Sequence, residues 1–71
     1  MSREELIARK EAIRAELART HRTLERARVE TEAATGLRRR YLQRRVAQLE
    51  TRAAALMSEE YRVRQLIDQS R

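Results

Sequence analysis

The 71-residue chain has no cysteine, proline, phenylalanine or tryptophan, and only one glycine, Gly36. Without cysteine it has no disulfides and no thiolate metal sites, although that alone does not fix the redox compartment. Proline and glycine punctuate strands and turns, so a chain nearly free of both has little with which to build a sheet or a loop-rich fold. Tyr41 and Tyr61 are the only aromatic residues, too few for a platform of stacked rings of the kind that reads RNA bases. No apolar run approaches the roughly 20 residues needed to cross a bilayer, and the start shows no basic, apolar and small-residue succession typical of a secretory leader. The expectation is a cytoplasmic protein that does not engage a membrane.

What remains is 41% apolar and 39% charged, the mixture of alanine, glutamate, arginine and leucine found in long helices and coiled coils. Ser2-Arg3-Glu4-Glu5 has the form of a capping box, with the Ser2 hydroxyl accepting from the Glu5 amide and the Glu5 carboxylate reaching back to the Ser2 amide. A helix is therefore predicted from about residue 3. Leu6, Ile13, Leu17, Thr20, Leu24, Ala27, Thr31 and Ala34 then follow steps of three and four after Ile13, with Lys10 filling the gap after Leu6. Leu42, Val46, Leu49, Ala53, Leu56, Glu60, Val63 and Ile67 repeat the pattern in the second half, again with one charged interruption.

The two seams are out of register by one residue. Extending the first would place seam positions at 38, 41, 45 and 48, whereas the second uses 42, 46 and 49. Glycine costs about 1 kcal/mol inside a helix and is favoured just beyond a helix end, so a turn at Gly36 explains the slip most simply. The predicted architecture is all-α, a single domain over residues 1–71: a helix at about 3–34, a turn at about 35–37 and a helix at about 38–69, packed as an antiparallel two-helix hairpin of coiled-coil type. Facing residues then have numbers that sum to about 73, which brings Lys10 and Glu60 within one turn of each other. Ser58-Glu59-Glu60 resembles a further helix start, so a kink or short third helix there is an alternative.

Such a hairpin has only one row of modest side chains between its arms. Domains this small seldom stand without staples or a partner, so dimerisation into a four-helix bundle or docking on another protein is expected. The residues assigned to that interface are Leu6, Ile13, Leu17, Leu24, Leu49, Leu56, Val63 and Ile67. A second apolar patch, Ile7, Met57, Tyr61 and Leu66, lies off the seam toward the open end. In size and in its thin seams the chain is similar to the small co-chaperones of type III secretion systems, whose seams a partner completes; the likeness is one of pattern, without a specific motif.

Catalytic constellations are missing from the sequence. His21, the single histidine, has no nucleophile or second ligand at a helical offset, and no glycine-rich phosphate loop, serine elbow or H-E-x-x-H element occurs. The glutamates stand near arginines at helical spacing, such as Glu5 with Arg9, Glu25 with Arg28 and Glu60 with Arg64, as on a solvated face. No enzyme activity, metal, cofactor or small-molecule substrate is expected.

Charge is distributed unevenly. Sixteen of the seventeen basic residues are arginine, and the net charge of +6 divides into +1 for residues 1–35 and +5 for residues 36–71. Arg38, Arg39, Arg40, Arg44 and Arg45 crowd the start of the second arm, where the helix macrodipole disfavours positive charge. Either Glu30 and Glu32 neutralise them across the turn, or they form an anion-binding tip. The leading functional reading is a non-enzymatic coiled-coil interaction or adaptor protein, of co-chaperone or assembly-factor type, that docks through its seam and turns the arginine tip toward an acidic surface. The alternative is a small basic RNA- or DNA-binding helical bundle, regulatory or ribosome-associated, that uses the same five arginines, with Tyr41 as a stacking residue.

Overall fold

A computed structural model describes residues 1–70, which form two helices, α1 (Arg3–Ala33) and α2 (Gly36–Gln69), packed against each other. The start of α1 follows from its cap: the Ser2 hydroxyl accepts from the Glu5 amide at 3.1 Å. The return half differs from expectation, because the Glu5 carboxylate accepts from the Ser2 hydroxyl, also at 3.1 Å, instead of the Ser2 amide. The Ser2 carbonyl is then free to accept the first helical bond, from the Leu6 amide at 3.0 Å.

The two helices run antiparallel, as the ion pairs across them require. Arg9 meets Glu59 and Arg52 meets Glu16 on one flank, while Arg14 meets Glu60 and Arg28 meets Glu50 on the other. Partner numbers sum to 68 on the first flank and to 74 and 78 on the second. The seam between them therefore sits near the predicted value. Glu60, inside the seam, pairs with Arg14 at 3.9 Å and with Arg64 at 3.7 Å. Lys10, which the register brings within one turn of Glu60, makes no ion pair with it among the described residues.

Burial follows the two heptad rows. Leu6, Ile13, Leu56, Val63 and Ile67 form one apolar cluster with Leu17 against it, and Leu24, Ala27 and Leu49 form another with Val46 against it. Between them lies Thr20, the one buried polar residue among those described. Its hydroxyl donates to the Glu16 carbonyl at 2.9 Å, four residues back, so no hydrogen-bonding group is left unmet. This core is shallow, with no described side chain less than 2% exposed. The rod measures 54 × 14 × 13 Å, with a radius of gyration of 16.1 Å, where a compact domain of this length would have about 11 Å.

The connection is tighter than predicted, and Gly36 has a different role. Ala34 and Thr35 are extended, with φ of −94° and −134°. Gly36 then opens α2 with φ of +63°, the only positive φ among the described residues. The glycine thus redirects the chain into the second helix instead of terminating the first. Nor does a kink or third helix form at Ser58, which lies within the unbroken α2. Val63 and Ile67 continue the spacing set by Leu56, and burying all three on α1 keeps the axis continuous.

Two outcomes follow for stability, both measurable by chemical or thermal unfolding. A Cβ at Gly36 would meet nothing within 4 Å, so Gly36→Ala should cost only the left-handed backbone term, about 1 to 2 kcal/mol; a neutral or stabilising result would mean the turn is not held in this conformation. Leu56→Ala, which removes most of a side chain that is 5% exposed, should cost about 2 kcal/mol or more.

Candidate anion-binding flank and apolar flank

Of the residues assigned to a partner interface, Leu6, Ile13, Leu24, Leu49, Leu56, Val63 and Ile67 are buried and Leu17 is half-buried, all within the hairpin's own seam. Their apolar surface is already covered by the other helix of the same chain. Surface that remains open to a partner belongs instead to Met1, Ile7, Val29, Leu37, Tyr41, Met57, Tyr61 and Leu66, which are exposed. The α2 part of the second patch is split between two hollows that adjoin at Ser58 and Arg62. Met57 and Tyr61 border one hollow with Gln65, whose side-chain amide donates to the Tyr61 hydroxyl at 2.9 Å, whereas Leu66 borders another with Arg9, Ala55 and Glu59. Ile7 follows Leu6 as Arg14 follows Ile13, one heptad apart, so it stands in the row of Arg14, on the flank of the Arg14–Glu60 pair.

The arginine cluster remains exposed. Arg38 lies 3.9 Å from Glu30, both side chains about half or more in solvent, a geometry worth well under about 1 kcal/mol. Among the described residues, Arg39, Arg40, Arg44 and Arg45 have no carboxylate within ion-pair distance, and Glu32 neutralises none of them. Thr35 makes no side-chain cap, and the first turn of α2 contains no acidic residue. The positive end of the macrodipole therefore faces Arg39 and Arg40 without local compensation among the described residues, and Arg38 with only the weak Glu30 contact.

The five arginines do not form one surface. Arg45 lines a furrow between the helices with Thr23, Arg26, Ala27, Glu30, Tyr41 and Leu42, and Arg44 lines an adjoining hollow with Tyr41, Arg45 and Gln48. Arg39 stands one heptad before Val46, in the seam's own row at the tip, where it is exposed. From α1, Arg26 belongs to the furrow, and Arg19 lies in the same row, three residues after Glu16 and seven before Arg26. Neither was found from sequence alone, because nothing in their local spacing distinguishes them from other arginines of α1. Their common row with Glu16, Thr23 and Glu30, at steps of three and four, is legible only once Glu16 is known to face Arg52.

His21 is exposed, and no group of three or more histidine, aspartate or glutamate side chains gathers to hold a metal ion among the described residues. No helix is long and apolar enough to cross a membrane among the described residues. The chain matches no family model, no curated protein and no solved structure.

Uncompensated charge at the start of α2 makes a prediction about salt. Raising sodium chloride should increase the melting temperature of the hairpin, and Arg39→Glu with Arg40→Glu should stabilise it by about 0.5 to 1 kcal/mol at low salt. A calorimetric or circular-dichroism melt showing no gain in the double variant would mean the cluster is compensated in solution.

Proposed function

We propose that the chain is a non-enzymatic helical-hairpin interaction protein that completes its core by pairing with a second copy, giving a four-helix bundle. One observation carries this reading: Ile7, Met57 and Tyr61 expose apolar side chains beside charges that mostly cancel, Arg62 being an unpaired cation at the Met57–Tyr61 hollow among the described residues. Of those charges, Arg14 and Arg64 meet Glu60, and Arg28 meets Glu50 and Glu25. Two molecules of net charge +6 repel in most orientations, so a near-neutral face is where copies approach at least cost.

Surface area supports the same reading. The hairpin leaves 5614 Å² accessible, about 1,000 Å² more than a compact monomer of 8.4 kDa would. One side of a 54 × 14 Å rod offers about 750 Å² even before side chains are added, near the 800 Å² or so that each partner contributes to a stable interface. The adaptor, co-chaperone or assembly role would then rest on surfaces that the dimer leaves outward.

Molar mass measured by sedimentation equilibrium across concentration tests the proposal. The expected result is a dimer of twice 8.4 kDa, with Met57→Glu and Tyr61→Glu together driving it to monomer while helicity persists, since both side chains are half or more exposed. A fully helical wild-type monomer at high concentration, or a double variant of unchanged mass, refutes it.

A further inference from the structure

The opposite flank has a different chemistry. Along it α1 presents Glu16, Arg19, Thr23, Arg26 and Glu30, and α2 presents Tyr41, Arg45, Gln48 and Arg52, each row advancing by steps of three and four. Both carboxylates are engaged, Glu16 by Arg52 and Glu30 by Arg38. Arg19, Arg26 and Arg45, with Arg44 on the shoulder, have no carboxylate within ion-pair distance among the described residues. Four guanidinium groups are thus aligned along one side of the rod, while the other side is close to neutral.

We propose that this flank binds single-stranded nucleic acid, with Arg19, Arg26, Arg44 and Arg45 holding the phosphodiester backbone and Tyr41 offering its ring to a base. The site does not depend on self-association, because dimerisation through the Met57 and Tyr61 flank leaves it facing outward. Three observations favour this ligand over others. Arginine matches phosphate with a planar two-pronged contact and is less costly to strip of water than lysine. Tyr41 borders both hollows and is 61% exposed, an apolar ring surface amid charge that an acidic peptide has no planar group to cover and a nucleobase does. The furrow between the helices draws Thr23, Arg26 and Glu30 from α1 and Tyr41 and Arg45 from α2, a path along which one strand can lie lengthwise. Glu30 also lines the furrow, where Arg26 and Arg45 outnumber it.

Anisotropy of a fluorescent 20-nucleotide oligouridine RNA, titrated with the full chain between about 50 and 200 mM salt, tests the proposal. Four backbone contacts give an expected slope of log K against log salt of about −2.8, and Arg26→Gln with Arg45→Gln should bring it to about −1.4. Tyr41→Ala should weaken binding about tenfold and leave the slope unchanged. Lys10→Gln with Arg39→Gln removes the same charge from the seam rows, outside the furrow, and should leave affinity within about twofold. Equal losses in the two double variants would overturn the assignment of the site to this flank, as would absence of RNA binding at 50 mM salt. Competition by polyglutamate as effective as that by unlabelled RNA would also overturn it, in favour of an acidic protein surface. Far-UV circular dichroism of each variant separates loss of binding from loss of helix.

Discussion

Two helices can touch along only one line, and the rest of this molecule follows from that limit. Every large apolar residue that faces the opposing helix lies on the line, and the residues beside it are half wet by geometry. With no described side chain wholly enclosed, stability depends on the summed contacts of many modest side chains rather than on a central anchor. The threonine in the seam is tolerated because its hydroxyl turns back onto its own helix. The tip end is lined by alanines, Ala27 and Ala34, which let the backbones approach where the connection is shortest.

The same limit divides the surface in two. Residues flanking a single seam fall into two rows on each helix, and antiparallel packing sets each row against its counterpart. On one flank the counterparts have opposite charges and cancel. On the other, the arginines outnumber the available carboxylates. The excess charge of the chain is therefore a directional property, fixed by how the helices face each other and only partly by where arginine occurs along the chain.

Legibility from sequence divides along the same line. Heptad rows, the hairpin and its register could be read directly, because the alternation of steps of three and four forces one stripe of Leu, Ile, Val and Ala inward. The flanks could not, since assigning Arg26 and Arg45 to one shared furrow requires knowing which face of each helix meets which. Gly36 reads from the sequence as a break just beyond a helix end, where a left-handed glycine is usual, whereas in the structure two extended residues end α1 and the glycine begins α2. The helix-start pattern at Ser58 was overruled by packing, as local signals are when a continuous stripe must stay buried.

Both chain ends occupy the same end of the rod, where Met1 and Ser70 border a common hollow with Leu6 and Leu66. Anything joined to either end is therefore attached some 50 Å from Arg38, Arg39 and Arg40 at the tip, a distance set by the 54 Å rod at about 1.5 Å of rise per residue. Mechanically the hairpin is a boom that, held at its base, would carry the tip arginines outboard. Since the two helices brace each other along nearly their whole length, a force applied at the far tip is carried back to the base as bending of a paired beam rather than as unwinding of one strand.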